Sequence, residues 1–152
     1  MSSNTAGSGS VIEGFLYVPT LADNGACTTG YVPANVTHRA QLPSSSVYAQ
    51  LAFAPWIDSD CTLQYLAQAN SDAANAVIFY HTTGMNTTNY GSGSPPPPTD
   101  PSWDLGDGGA WKNKYGFPVY AINSHEGNTT MTQLSLVSCS GTVFTTFANH
   151  CL

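Results

Sequence analysis

The chain has 152 residues, which is enough for one domain with a substantial core. Lysine and arginine together number 3 against 9 aspartates and glutamates, which argues against a phosphate-backbone site for nucleic acid and against adhesion to an anionic membrane surface. Only 8% of the residues are charged, so the surface must consist mainly of neutral polar side chains, as is common in secreted proteins.

The N-terminal third of the chain predicts a leader, one strand and a long loop. Residues 1–10 lack the apolar segment of a signal peptide and predict a flexible leader. Residues 11–18 alternate enough for a strand that Pro19 closes. Glycines and prolines in residues 19–34 predict a loop, and residues 35–42 a short strand or an extended edge.

A strand–helix–strand unit follows and is the most informative part of the sequence. Residues 47–53 form an apolar run between a serine cluster and a proline, which predicts a buried strand. Residues 58–60 offer side-chain oxygens that can cap a helix, and Leu63 and Leu66 fall at helical spacing behind them. Residues 76–80 are a second apolar run. Two buried strands joined by one helix predict a parallel, right-handed crossover.

The second half contains one low-complexity stretch and four further predicted elements. Residues 84–100 carry glycine, serine and four consecutive prolines, which predicts a mobile surface loop. A short helical turn is expected around Trp111 and a strand over residues 117–122. Ser124 is the predicted cap of a helix, and the tail after it favours a final strand; the inward residues of that helix would be Met131, Leu134 and either Leu136 or Val137.

The cysteines form an even set: Cys27, Cys61, Cys139 and Cys151. No C-x-x-C pair is present, so a structural zinc site is not expected, and three disulfide pairings are possible. We favour Cys27–Cys61, because the first lies in a loop and the second opens the predicted helix. Cys139–Cys151 would then tether the C-terminal tail. The alternative is that some of the thiols are simply buried or free.

Three sequons begin at Asn35, Asn86 and Asn128. They predict a disulfide-bonded glycoprotein of the secretory-pathway lumen, of a vacuolar or endosomal compartment, or of the extracellular space. Chance occurrence is the alternative, because asparagine, serine and threonine are abundant. No apolar run reaches the length of a membrane span, so no direct membrane contact is expected from this chain.

The sequence lacks the residue patterns of an enzyme or a metal protein. Its histidines have no close ligand spacing, and no G-x-S-x-G elbow is present. Asp100, Asp104 and Asp107 fail the spacing of a calcium loop. We therefore expect no catalytic residue, no metal and no cofactor. Trp56, Trp103 and Trp111 are the candidate binding residues, for a peptide or a glycan groove; the alternative is that each belongs to the core.

The crossover resembles the protease-associated (PA) domain. The family has a strand, a cysteine near a helix start, an alanine-rich helix and a strand of the form A-x-A-V-I-x-Y, which match residues 51–54, Cys61, residues 66–74 and Ala74-Asn-Ala-Val-Ile-Phe-Tyr80. A later P-V-x-x-I strand matches Pro118-Val-Tyr-Ala-Ile122. Within the family the chain is most similar to the lumenal module of fungal membrane-anchored RING-finger ubiquitin ligases, on segments such as Leu16-Tyr-Val-Pro-Thr20 and Ala54-Pro-Trp56. The family's usual Arg-Gly before the helix is replaced here by Ala54-Pro55-Trp56.

This resemblance implies a fold and a class of function. The fold would be a single α/β domain with a mixed β-sheet, curled towards a barrel, and flanking helices. Residues 11–138 would form the PA-like domain, with a leader at 1–10 and a tail at 139–152. The implied function is non-catalytic recognition of a protein or peptide, as the substrate-recruiting part of a membrane ubiquitin ligase. The alternatives are a small secreted hydrolase, an accessory domain of a peptidase, and a glycan-binding module.

Overall fold

The computed structural model describes residues 14–22, 25–43, 48–82, 95–97 and 99–136. Over these ranges the protein is α/β, with four strands in one sheet and helices beside it. In chain order the elements are β1 Gly14–Tyr17, α1 Gly25–Thr28, β2 Ala49–Trp56, α2 Ser59–Ser71, β3 Ala76–His81, α3 Trp111–Lys114, β4 Val119–Ile122 and α4 Ser124–Leu136, with short 3₁₀ turns at Arg39–Gln41 and Pro101–Asp104.

The sheet has the strand order β1-β2-β3-β4, and all three neighbouring pairs are parallel. The predicted strand–helix–strand crossover is therefore confirmed as β2-α2-β3, with Ala52 opposite Val77. The expectation of a mixed sheet is wrong for the described residues. Each strand there is followed by a connection that returns the chain to the opposite end of the sheet, and such connections produce parallel neighbours. Curling towards a barrel stays a prediction.

Strand β2 is the centre of the core and runs past the proline expected to end it. The alternation of backbone groups, fixed by the Asn75 N–H donating to the Gln50 carbonyl at 2.8 Å, turns the backbone of Pro55 towards β1. The last residue of β1, Tyr17, pairs with Ala52, so β1 has ended before it reaches Pro55. A missing N–H costs no ladder bond there, and the strand continues to Trp56.

Helix α2 begins as its sequence predicts and ends with a strained residue. Asp58 is the N-cap, because its Oδ1 accepts a hydrogen bond from the Cys61 N–H at 2.7 Å. At the other end the Ala74 N–H donates to the Ala69 carbonyl at 2.9 Å, and Ala73 lies between them with φ of 56°. That left-handed conformation normally falls to glycine, so the helix end carries local strain.

The two faces of the sheet are covered by different elements. On one face the small side chains Ala52 and Ala54 let α2 approach, and its Tyr65 and Leu66 are buried against them. On the other face Phe53 stacks on Tyr80 with ring centroids 5.3 Å apart, beneath Met131 of α4. Burial on both faces is what makes β2 and β3 almost continuously apolar, as in other parallel sheets.

Helix α4 packs closely on β3 and starts one residue away from the predicted cap. The Asn123 Oδ1 accepts the Glu126 N–H at 2.8 Å, so Asn123 rather than Ser124 caps the helix. A Cβ on Gly127 would collide with the Tyr80 side chain, which shows why the contact requires glycine. Met131 is buried and Leu134 half-buried as expected, whereas Leu136 is 72% exposed.

Several sequence predictions lie outside the described residues. They are the leader at 1–10, the tail at 139–152 with Cys139, Cys151 and its predicted strand, and most of the loop at 84–100. The domain boundary at residue 138 stays a prediction for the same reason. The loop at 19–34 contains the short helix α1, and residues 35–42 form one isolated parallel bridge, Val18–His38, followed by a 3₁₀ turn.

Candidate functional site: the tryptophan cluster and the β4 edge

The carboxyl ends of the central strands place Trp56 beside His81. The two residues are paired in register as the last residues of β2 and β3, with ring centroids 6.3 Å apart in an edge-on contact. Just beyond, the Thr82 Oγ1 donates to the Trp56 carbonyl at 2.9 Å. Open parallel sheets tend to place ligand crevices at this end, so the position makes Trp56 a reasonable candidate for a binding residue.

The segment before α3 brings the other two tryptophans to the same place. The Trp103 ring lies 4.3 Å from that of Trp56, and the Trp111 ring lies 6.3 Å from that of Trp103. The Trp111 Nε1 donates to the Trp103 carbonyl at 2.6 Å, and the Trp103 Nε1 donates to the Pro96 carbonyl at 3.2 Å. We call Trp56, Trp103 and Trp111 the tryptophan cluster. Residues distant in sequence are thus joined in one contact group.

The tryptophan cluster is buried. The exposed fractions are 2% for Trp56, 7% for Trp103 and 8% for Trp111, and all three belong to the larger core cluster with Leu66 and Phe79. This burial agrees with the alternative that each tryptophan belongs to the core. A ligand could reach the faces of these rings only if the chain around them rearranged. Their role as binding residues stays a prediction.

Short polar contacts hold the segment that carries Trp103 and Trp111. The two carboxylate oxygens of Asp107 accept the N–H groups of Ala110 and Trp111 at 2.9 and 3.1 Å. The Lys112 ammonium pairs with Asp104 at 3.0 Å, on the surface. Asp107 thus binds backbone N–H groups, Asp104 forms an ion pair, and Asp100 accepts the Ser102 N–H at 2.8 Å. No group of three metal-ligating side chains occurs within the described ranges.

His81 has a shifted pKa at the carboxyl end of β3. Its side chain is 2% exposed at the end of β3. Burial lowers the pKa of the imidazole below its ordinary value of 6.5, because the charged form loses its hydration. In the folded protein the neutral form of the His81 imidazole is therefore favoured more strongly than in an exposed histidine.

Strand β4, the last strand of the described sheet, differs from the buried tryptophan cluster because part of its backbone has no neighbouring strand. The Val77 N–H donates to the Pro118 carbonyl at 3.0 Å, which fixes the alternation of backbone groups along β4. By that alternation Val119 and Ala121 direct their N–H and C=O groups away from β3. Strand order places no described strand on that side, and all four residues of β4 are half-buried. We call this outward backbone of residues 119–122 the β4 edge.

Aromatic rings and a cation lie on the chain just before the β4 edge. The rings of Tyr115 and Phe117 are stacked with centroids 5.7 Å apart, and the Lys114 ammonium lies 5.2 Å from the centre of the Tyr115 ring. Lys114 is exposed and has no carboxylate within ion-pair distance among the described residues, unlike Lys112. Four residues lie between Lys114 and Val119, so the Cα atoms of these two residues are within about 17 Å of each other.

Sequence reasoning missed the β4 edge. The run at residues 117–122 correctly predicts a strand, but an apolar run of this length has the same appearance at the edge of a sheet as in its interior. Strand order, which only the folded chain displays, distinguishes the two. The available sequence signal was the short length of the run together with the lysine before it, both of which are common in edge strands.

The predicted Cys27–Cys61 disulfide is present. The two Cα atoms are 5.4 Å apart, and both side chains are buried. The bond joins α1 to the first turn of α2, and the Tyr65 hydroxyl donates to the Cys27 carbonyl at 2.9 Å beside it. A disulfide is compatible with an oxidising secretory or extracellular compartment. None of the helices in the described ranges has the length and apolarity needed to cross a membrane.

Two of the predicted glycan acceptors can be placed. Asn35 and Asn128 are both exposed, and Asn86 lies outside the described residues. The Asn35 Nδ2 donates to the Ser135 carbonyl at 2.8 Å, which ties the loop after α1 to the last turn of α4. Asn128 lies on the outer face of α4. Attachment of glycans stays a prediction for all three.

Comparisons with protein-family models, with curated proteins and with solved structures found no match. The resemblance to the PA domain therefore depends on the sequence segments alone.

Proposed function

We propose that this chain is a non-catalytic recognition domain for proteins or peptides. The β4 edge is the observation that carries the proposal, since it offers backbone donors and acceptors and half-exposed apolar side chains at one place. An extended segment of a partner can bind such an edge through main-chain hydrogen bonds, with side-chain contacts supplying selectivity. Core clusters on both faces of the sheet, together with a disulfide between α1 and α2, support the strand on which a partner would bind.

The proposal includes a setting. We place the domain in the lumen of the secretory pathway, in a vacuolar or endosomal compartment, or outside the cell, with which the Cys27–Cys61 disulfide is compatible. The segments that resemble the PA domain support a parent protein of the membrane-anchored RING-finger ubiquitin ligase class, in which this domain would recruit substrates. Neither nucleic acid nor lipid is a proposed partner, and no cofactor is needed for such recognition.

Panning of a random-peptide display library on the immobilised chain tests the proposal. We expect enrichment of peptides that bind with micromolar to millimolar dissociation constants and remain chemically unchanged. Enrichment of no peptide would contradict peptide recognition. Hydrolysis of ester, glycoside or peptide substrates by the pure chain would favour the enzyme alternative, and selective binding on a glycan array would favour the glycan-binding alternative.

A further inference from the structure

The β4 edge is short, as many protected edge strands are, but it lacks three other features that prevent pairing with a further strand. Edge strands commonly contain an inward charge, a proline or a bulge that prevents another strand from pairing with them. Residues 119–122 read Val-Tyr-Ala-Ile and include neither a charge nor a proline. The register with β3 runs without interruption from Val77–Val119 to Tyr80–Ile122, so no bulge is present either.

The hydrogen-bonding capacity of the β4 edge can be counted from the alternation. Val119 and Ala121 each direct one N–H and one C=O outward, which makes two donors and two acceptors. A bound strand would pair with these groups and leave untouched the bonds between β4 and β3. Its side chains would extend the two apolar faces, where Val119 and Ala121 contact the α2 side of the core and Ile122 the α4 side.

The positive charge of Lys114 gives a preference for the residue at one end of a bound peptide. Lys114, on the chain just before β4, has an ammonium without a carboxylate partner in the described part of the structure, whereas Lys112 is paired with Asp104. A carboxylate near one end of a bound strand would be favoured there over an ammonium. The rest of a bound strand would be neutral and apolar, since the β4 residues themselves are apolar.

We propose that the β4 edge is a docking strand for an extended, mainly apolar peptide segment of a partner protein that carries an acidic residue at the end beside Lys114. The inference rests on the proposed function and names the class of ligand and the place where it binds. It assigns the main-chain contacts to Val119 and Ala121 and the charge preference to Lys114. The tryptophan cluster supports the sheet from inside and does not touch the peptide.

The first test uses defined peptides and the full chain. The probes are acetylated heptapeptides of alternating valine and threonine with glutamate at the first position, glutamate at the last position, lysine at the first position, or lysine at the last position. We expect one glutamate peptide to bind about two- to fivefold more tightly than its lysine counterpart, as exposed ion pairs allow. The end that shows this difference gives the strand direction. Lack of binding by all four peptides at 1 mM would overturn the inference.

The second test uses matched variants. Ala121→Pro removes an outward N–H and no bond to β3, and Ala121→Val keeps the N–H and the strand conformation. We expect Ala121→Pro to weaken peptide binding at least tenfold and Ala121→Val to change it less than threefold. Lys114→Glu should reverse the preference, so that the lysine peptide binds more tightly. Unchanged charge preference in Lys114→Glu would remove Lys114 from the site.

A readout without substitutions covers the case in which Ala121→Pro does not fold. Amide hydrogen exchange of Val119 and Ala121 should slow when the glutamate peptide is added, while Tyr120 and Ile122 are already bonded to β3 and should change less. Protection confined to other residues would place the site elsewhere and overturn the inference, but it would not contradict peptide recognition by this chain.

Failure of library panning, in contrast, would contradict the proposed function itself. Dimerisation in light scattering with loss of peptide binding would show that a second copy occupies the edge, which also overturns the inference.

Discussion

The tryptophan cluster and the β4 edge are both apolar, but only one of them has capacity left for a ligand. In the cluster the indoles are at most 8% exposed, and the N–H groups of Trp103 and Trp111 are bonded to carbonyls of the chain itself. At the edge four residues are half-buried, and the backbone of two points away from the described sheet. The difference teaches that aromatic content by itself does not distinguish a core cluster from a surface with unused hydrogen-bonding groups, and we therefore test the β4 edge first for binding.

Removing a ring from the tryptophan cluster should have the largest effect on stability. We expect Trp103→Ala to lower the free energy of unfolding by about 3–5 kcal/mol, because Trp103 fills the space between Trp56 and Trp111. Chemical denaturation measures the loss. Trp103→Phe is the control and should lose less, because it keeps an aromatic ring. A Trp103→Ala variant that unfolds within 1 kcal/mol of the wild type and loses peptide binding would assign binding to the cluster instead.

Loss of the disulfide should rank second, and its cysteines belong to the same core cluster as the three tryptophans. Replacing both Cys27 and Cys61 by serine removes a link that spans 34 positions of sequence and should cost about 3–4 kcal/mol in the chain-entropy model. Urea denaturation of the wild type with and without a reductant gives an independent value. Adding the reductant should not change the free energy of unfolding of the double variant. A further large decrease would show that residues other than Cys27 and Cys61 cause the effect of the reductant.

The same chemical change should act differently on the two regions. Ala54→Val adds two methyl groups to a fully buried position of β2 beneath α2 and should cost about 1–3 kcal/mol by overpacking. Ala121→Val makes the identical addition at the half-exposed β4 edge and should stay within about 0.5 kcal/mol. Thermal denaturation of the pair measures the contrast directly. Equal losses would mean that the β4 edge is as tightly packed as the core.

The smallest effect should be a pH dependence of stability caused by His81, which contacts Trp56 of the tryptophan cluster. Because burial lowers the pKa of His81 in the folded state, the unfolded chain binds the proton more readily. Stability attributable to His81 should be fully present above pH 6.5 and should fall as the pH decreases towards 5. Melting temperatures across this range should decline less in His81→Gln than in the wild type. His125→Gln, at an exposed position of α4, is the control and should keep the decline.

Local signals predicted much of the fold and little of the candidate site. The apolar runs identified the segments of all four strands, and Asp58 identified the start of α2, since a capping oxygen and a buried run act over a few residues. Pro55 led to a wrong prediction of where β2 ends, because a proline interrupts a strand only where the neighbouring strand needs its N–H, and β1 ends before Pro55. Ser124 misled as well, because Asn123 offers a cap of equal quality one residue earlier.

By itself the sequence determined the α/β class and the crossover from β2 to β3, because apolar runs and a capping residue act over a few positions. It favoured Cys27–Cys61 among three possible pairings, and the structure contains that disulfide. Tertiary structure alone decided that the three tryptophans are internal and that β4 is the last strand of the described sheet. Exposure is a property of everything packed around a side chain. A strand at an edge and a strand in the interior can therefore share one apolar pattern, and only strand order shows which one still has backbone groups to offer.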